Sequence, residues 1–576
     1  MSRARVWAPT AGRVSVEVGG RSQGLDRTSG GWWESAENVL DHGTDYRFRL
    51  DSGDPLPDPR SPWQPEGVHG PSRWVEHSRF EWRDTGWRAP DLAEAVFYEL
   101  HVGTFTSAGT FEGVAQRLPY LRELGVTHVE LMPVNAFPGN RGWGYDGVDL
   151  YAPHHPYGGP EELKRLVDAA HGHGLAMVLD VVYNHFGPDG NYVGRFGPYL
   201  TERYDTPWGG AVNLDGPGSD EVRRFFVDNA LMWLRDYHFD GLRLDAVHAF
   251  VDLSAVHFLE ELAQAVDRIE EEVGRLLTLV AESDLNDPQV IRPRAEHGYG
   301  IDAQWSDELH HALHVALTGE REGYYADFGG LADLCTALRE GWVYDWRHAP
   351  ARGRRHGRRL TDMPRWRLLG YSQNHDQVGN RAAGERLSQL VGQDALRVAA
   401  ALVILGPHVP LIFQGEEWAA ATPFQFFTNH TDAELGRSVT EGRTHEFEAF
   451  GWDPADVPDP QAPETFERSR LDWSEPEREP HAGMLEWYRR LLLARRTIPG
   501  LAAGPAPQVR CSEDEGWLTV ERAGTLLAAS LGDRPHDVPL RGDWRLELAS
   551  AAGLDLADGR LTMPPLSAAL LLSGRT

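Results

Sequence analysis

Short apolar runs organise the middle of the chain, each followed by a polar loop and then by apolar residues at helical spacing. The runs cover residues 95–100, 126–132, 176–182, 241–245, 277–281, 301–305, 368–372 and 409–413. Most are apolar on both faces, as strands of a parallel sheet must be when helices cover each side. Between them, residues 220–237, 256–271, 395–405 and 484–496 carry the spacing of amphipathic helices. Gly159-Pro160-Glu161-Glu162 opens another helix, with proline in the first turn and acids at the positive end of the dipole, and His173-Gly174 closes it. Eight strands alternating with helices predict an α/β fold, a (β/α)8 TIM barrel.

The flanks follow a different rule. Residues 14–18 and 46–50 alternate with period two, which predicts an N-terminal β-sandwich over residues 1–90, with the proline-rich stretch 54–71 as an irregular connection. Past residue 500 the short runs 517–520, 526–530, 544–548 and 568–572 predict a C-terminal β-sandwich over 501–576. The barrel then occupies 91–500. Two of its connections are long: 186–219, rich in Gly, Pro, Tyr and Asn, follows the third strand as an excursion, and 414–480, acidic and aromatic, follows the eighth. Long loops on a barrel usually shape its site.

Composition narrows the partner. The 576 residues carry a net charge of −30, which disfavours nucleic acid or an anionic membrane and favours a neutral substrate. All basic residues but Lys164 are arginine, a bias expected of a GC-rich genome. Twenty tryptophans and 17 tyrosines supply flat rings for sugar faces, although most such rings serve the core. Cys335 and Cys511 stand far apart and offer neither a disulfide framework nor a metal cluster, so they read as separate buried thiols. The basic run Ala351-Arg-Gly-Arg-Arg-His-Gly-Arg-Arg359 reads as a mobile solvated loop. Neither a signal-peptide core nor an apolar run of ~18 residues is evident, so a cytoplasmic protein is expected.

Catalytic groups of a barrel gather at the C-terminal ends of its strands. Those ends hold His185 (Asp180-Val-Val-Tyr-Asn-His185), Arg243 and Asp245 (Gly241-Leu-Arg-Leu-Asp245), Glu282 (Val280-Ala-Glu282) and His375-Asp376 (Gln373-Asn-His-Asp376). Apolar strands do not end in acids for stability, because an unpaired buried carboxylate costs several kcal/mol. Two carboxylates facing one bond are what glycoside hydrolysis needs, and a separation of ~5–5.5 Å marks the retaining route. Arg243 and Asp245 are two apart on a strand and so share a face. A guanidinium beside Asp245 holds and orients a negative carboxylate, which suits a nucleophile. Glu282, with no basic neighbour in sequence, is the acid/base candidate, and Asp376 completes a charged rim around an oxocarbenium-like centre.

These segments resemble the four signature regions of the α-amylase superfamily (glycoside hydrolase family 13), in order and on strands three, four, five and seven. The resemblance implies Asp245 as nucleophile, Glu282 as general acid/base and Asp376 as transition-state stabiliser. It implies His185, Arg243 and His375 as ligands of the sugar at the cleavage point, Tyr145 as the ring that stacks on it, and His248 on the aglycone side. Within the superfamily, Thr206-Pro-Trp-Gly-Gly-Ala-Val-Asn213, Glu282-Ser-Asp-Leu-Asn-Asp-Pro288, Asp302-Ala-Gln-Trp-Ser-Asp-Glu308, Gln377-Val-Gly-Asn-Arg381, Gly415-Glu-Glu-Trp-Ala-Ala420 and Thr422-Pro-Phe-Gln-Phe-Phe427 are similar to the maltooligosyltrehalose trehalohydrolase family. That implies hydrolysis of the α-1,4 bond next to a terminal trehalose, releasing trehalose, in a pathway shared with a maltooligosyltrehalose synthase, and an N-terminal module like those that bind carbohydrate.

Recognition of the aglycone needs polar groups and rings near the acid/base. Asn286, Asp307, Glu308, Gln377, Arg381 and the aromatics Phe424, Phe426 and Phe427 are the candidates, because a site built to bond specific hydroxyls rejects substrates lacking them. No cofactor is expected. Calcium is common among α-amylases and Asn184 sits where one ligand lies in them, but residues 186–219 show no matching acidic cage, so no metal is expected. The rival readings are a glucan branching or debranching enzyme on the same scaffold, and a non-catalytic glucan-binding protein, which should lack one of the three acids.

Overall fold

The computed structural model describes residues 1–449 and 457–574. Residues 450–456 of the long connection after the eighth strand, and 575–576 of the C-terminal module, lie outside the described residues. Eight parallel strands close into a barrel: Phe97–Leu100, His128–Leu131, Ala176–Val181, Gly241–Leu244, Thr278–Ala281, Ala303–Trp305, Leu368–Gly370 and Val409–Phe413. Phe97 pairs with both His128 and Leu411, which joins the first strand to the second and to the eighth and seals the ring. Each strand falls on one of the eight apolar runs, trimmed by a few residues.

Strand alternation sorts the side chains into two layers. Leu242 and Leu244 of the fourth strand, and Leu279 and Ala281 of the fifth, belong to the core between barrel and helices. Arg243 and Glu282, out of phase with them, are therefore aimed at the barrel axis. The same rule turns Glu99, Glu130 and Asp180 inward, above an apolar interior plug that includes Phe97, Val178, Val280, Trp305 and Leu411.

The helices are amphipathic covers. Gly159–Gly172 starts with Pro160 and two acids and ends at His173, ahead of Gly174 in the left-handed region. Ser219–Asp236, Phe258–Val273, Gln393–Ile404 and His481–Thr497 lie within a few residues of the helical patterns. Among the described residues no helix is long and apolar enough to cross a membrane.

Antiparallel sheets flank the barrel. At the N-terminus Ser2–Trp7 pairs with Trp32–Leu40 in one sheet, and Val14–Val18 with Asp45–Leu50 in another. Trp32–Leu40 is not visible as a strand from periodicity, because three consecutive exposed residues interrupt its alternation. At the C-terminus, Gln508–Ser512, Trp517–Arg522, Thr525–Ser530, Ser567–Ser573 and Trp544–Ala549 form one sheet in that spatial order.

Two connections carry structure of their own. Residues 186–219 hold a hairpin, Leu200–Thr206 against Gly209–Val212, with Trp208 in its tight turn. The basic run 351–359 is solvated, as expected, with most of its residues exposed, but it is not an irregular loop: it carries the turn and second strand of a hairpin. Asp345–Ala349 pairs with Arg354–Gly357, and Arg352 in the turn meets Asp284 at 2.9 Å. His356 Nε2 lies 2.6 Å from the Asp284 carbonyl, and the Arg358 N–H donates to the Asn286 carbonyl at 3.0 Å. Composition reveals the charge of such a run but not the acceptors that another loop brings to it.

Candidate active site

One buried guanidinium organises the barrel mouth. Arg243, fully inaccessible, places Nη1 2.8 Å from Asp180 Oδ2 and 2.7 Å from Asp245 Oδ1, and Nη2 3.0 Å from Glu282 Oε2. Trp305 lies beneath it, 4.3 Å from ring centre to guanidinium carbon. Three carboxylates on three adjacent strands are thus oriented by one planar fork, which a flexible ammonium could not do. Glu282 has no basic neighbour in sequence, but in space Arg243 reaches it from the adjoining strand. Glu282 is fixed a second time by the Ala246 N–H, which donates to Oε2 at 2.7 Å. Ala246 adopts a left-handed φ of 41°, a strained state for alanine, and this turn aims its amide at Glu282 just after Asp245 leaves the strand.

The third acid follows the seventh strand, on a short helix. Asn374 caps the short helix His375–Gly379, accepting the Asp376 N–H at 2.9 Å, while Gln377 returns its side-chain oxygen to the Asn374 N–H at 3.0 Å. This capping box fixes His375 and Asp376 together. His375 is buried, with Nδ1 2.5 Å from Glu99 Oε1, Nε2 2.8 Å from the Tyr145 hydroxyl and 3.4 Å from Asp376 Oδ1. Burial alone would lower its pKa, but the charges of Asp376 and Glu99 outweigh it and push His375 up to about 9. As an imidazolium it donates from both nitrogens, and Tyr145 passes the chain on by donating to Asp180 Oδ2 at 2.7 Å. The result is a continuous network from Glu99 through His375, Tyr145 and Asp180 to Arg243.

Asp245, Glu282 and Asp376 line one cleft of 450 Å³ together with Tyr145, His185, His248, Asp307, His375 and Gln377. Asp307 opens the helix Asp307–Thr318 and accepts from the Tyr371 hydroxyl at 2.6 Å and Gln377 Nε2 at 3.3 Å. Burial, followed by the nearby charge of Glu282, pushes its carboxyl up to about 7.

Other sequence candidates land elsewhere. Arg243 lies under the floor, holding carboxylates rather than lining the cleft. Asn286 lines an adjoining chamber of 230 Å³ that shares Asp284, Asp307, His311, Tyr324 and Arg352 with the cleft. Its amide is bonded to Glu308, a buried carboxylate that also accepts the Tyr344 N–H at 2.8 Å and so braces loops. Arg381 is not brought to the cleft: Glu320 occupies its guanidinium at 2.9 and 3.0 Å. Phe424 and Phe427 are buried in an aromatic cluster, and only Phe426 of that stretch reaches the cleft. Asn184 is buried with its amide unpartnered, but among the described residues no group of three His, Cys, Asp or Glu side chains is arranged to hold a metal.

The structure adds residues that the sequence reading passed over. Glu99 and Asp180 anchor the two ends of the network. Trp208 is 45% exposed at the hairpin tip, stacked flat against His185 with ring centres 5.0 Å apart. Tyr324 and Arg352 line the cleft from two further connections. An exposed tryptophan in a two-residue turn is a signal that the sequence offers, since a hairpin gains nothing by it.

Eight parallel strands whose C-terminal ends bring three acids and two histidines to one cleft, above one buried arginine, define an α-amylase-type barrel, and residues 79–202 match the alpha amylase catalytic domain family. The chain is 54% identical over 561 residues to a malto-oligosyltrehalose trehalohydrolase of Arthrobacter ramosus, covering 96% of this chain and 97% of that one. It is 49% identical over 577 residues to the protein of the same name from a Rhizobium species, covering 98% and 97%. A crystal structure of a putative alpha amylase from Salmonella typhimurium superposes with a TM-score of 0.90 at 40% identity, over 99% of this chain and 97% of that one. The chain belongs to the malto-oligosyltrehalose trehalohydrolase family.

Proposed function

We propose that this chain is a retaining glycoside hydrolase that cleaves the α-1,4-glucosidic bond next to the terminal trehalose of maltooligosyltrehalose, releasing trehalose and a maltooligosaccharide. The single observation that carries the chemistry is the Arg243 fork, which holds Asp245 and Glu282 at the mouth of the cleft that Asp376 also lines. Glu282 protonates the glycosidic oxygen while Asp245 attacks the anomeric carbon. The bond to the trehalose unit breaks and a glycosyl ester forms on Asp245. Glu282, now a carboxylate, takes a proton from water, which attacks the same carbon and frees Asp245. Asp376 stabilises the positive charge that develops on the sugar ring in both steps.

The substrate choice is supported by full-length similarity to proteins named for that activity. The reading includes a cytoplasmic setting and a maltooligosyltrehalose synthase that makes the substrate. Incubation with maltooligosyltrehalose and, separately, with plain maltooligosaccharide of equal length tests it. Free trehalose is expected from the first and little cleavage of the second; branched or shortened glucan without trehalose overturns the reading. Proton NMR of the newly released reducing end, taken before mutarotation, tests retention.

A further inference from the structure

The two cysteines, read from the sequence as separate buried thiols, meet in the fold. Cys335 is buried midway along the helix Leu331–Glu340, on the outer face of the barrel. Cys511 is exposed on the strand Gln508–Ser512, at the edge of the C-terminal sheet. The helix packs on this strand and on its neighbour Trp517–Arg522. The Ala332 N–H donates to Glu513 Oε1 at 3.1 Å, which pins the first turn of the helix to the residue just past the strand. Cys335 stands one turn on from Ala332, an advance of about 4.5 Å. Cys511 stands two residues back from Glu513, about 6.6 Å along the strand and on the same side of it. The helix packed on the strand thus sets the two thiols near each other across the seam, Cys335 facing the strand that carries Cys511.

We propose that Cys335 and Cys511 are a modification site for small-molecule disulfides, such as oxidised glutathione, and close into an intrachain disulfide that staples the C-terminal module to the barrel. Cys511, the exposed thiol, attacks one sulfur of the small disulfide as its thiolate. A mixed disulfide forms, and one small thiol leaves with the proton that Cys511 gave up. Cys335 then attacks the Cys511 sulfur, and the second small thiol leaves with the Cys335 proton. Two protein thiols are oxidised and one small disulfide is reduced to two thiols. Burial, with the Cys511 contact adding to it, pushes the Cys335 thiol up, so the second step is the slow one. The helix that carries Cys335 runs on towards the hairpin of Arg352, so the staple braces scaffold behind the cleft rim rather than the cleft itself.

The test is incubation of the full chain with oxidised glutathione, followed by thiol titration, non-reducing peptide mapping and thermal unfolding. Accessible and denatured thiols together should fall from two per chain to none. One cross-linked peptide pair containing both cysteines should appear, and the unfolding temperature should rise and return with dithiothreitol. In Cys335→Ser the reaction should stop at a glutathione adduct on Cys511, with no rise. A native chain that ends as that adduct with Cys335 still reduced, that links to a second chain through Cys511, or that cross-links internally without a rise overturns the proposal.

Discussion

The floor and the rim of the cleft are built by different rules. On the floor, Arg243, Asp245 and Glu282 are strand-borne or follow a strand end by one residue, and each direction is fixed by alternation against an apolar outer layer. The rim is loop-borne: Trp208 comes from a hairpin in the excursion, Tyr324 from the connection after the sixth strand, and Arg352 from a second hairpin in that same connection. The floor is dense with paired charge and buried; the rim is more exposed and held by contacts between loops, such as the 2.9 Å pair of Arg352 with Asp284. Chemistry common to many sugars is placed where the backbone is rigid, and the choice among sugars where loops can vary without disturbing it.

Substitution on the floor should therefore cost most. Asp245→Asn keeps the shape and the contact to Arg243 but removes the nucleophile, so kcat on maltooligosyltrehalose should fall by at least about 10⁴-fold while the substrate still binds. Isothermal titration beside turnover assays separates the two, and substantial residual turnover refutes the assignment. Glu282→Gln should be as severe on the natural substrate and milder on an aryl glycoside, whose leaving group needs no proton. Equal losses on both substrates would remove Glu282 from the acid role.

Arg243→Lys tests whether the floor is one unit. An ammonium cannot serve Asp180, Asp245 and Glu282 at once, so buried carboxylates lose their partner, with an expected loss of about 3–5 kcal/mol in stability. Denaturant unfolding measures it. A loss below about 1 kcal/mol would mean that the three acids hold their places by other contacts.

The contrast explains what the sequence could disclose. The eight strands were legible because a parallel barrel strand is apolar on both faces, and its register then dictates which side chains point inward. Glu282 and Asp376 were legible for the same reason, as polar residues at the ends of apolar runs. The companions that make those acids workable were harder to see: Glu99 and Asp180 look like isolated acids until the ring closes and brings His375 and Arg243 against them. Arg381 has the composition of a ligand, yet Glu320, from a distant turn, occupies it. The meeting of Cys335 with Cys511 depends on how the C-terminal sheet docks on one barrel helix, which no local pattern encodes.

The floor should also respond to pH. His375 has a folded pKa of about 9, against an ordinary value of 6.5. A group raised on folding stabilises fully below its unfolded pKa, and that contribution is lost as pH rises through the folded one. The window is thus about pH 6.5 to 9, and the shift corresponds to about 3 kcal/mol. The groups facing the imidazole are Glu99, Asp376, Tyr145 and Arg243, and the first two supply the raising charge. Denaturant unfolding at pH 6.5 and pH 9 should show the native chain losing more stability over that interval than His375→Gln. Parallel losses would mean that His375 is not the titrating group.

The smallest effect belongs to the rim. Trp208 meets the floor by stacking on His185, and nearly half of its surface is free. Trp208→Ala removes a flat face at the cleft entrance and leaves the Arg243 fork untouched. An aromatic contact of this kind is worth about 0.5–1.5 kcal/mol, so KM should rise about 2- to 10-fold with kcat within about twofold. The sharper reading comes from two substrates: a rim that selects should change the ratio of kcat/KM between maltooligosyltrehalose and plain maltooligosaccharide, whereas a ring that merely covers His185 should lower both alike. If the variant instead loses kcat by the factors expected of Asp245→Asn, then Trp208 belongs to the floor and the division between the two regions fails.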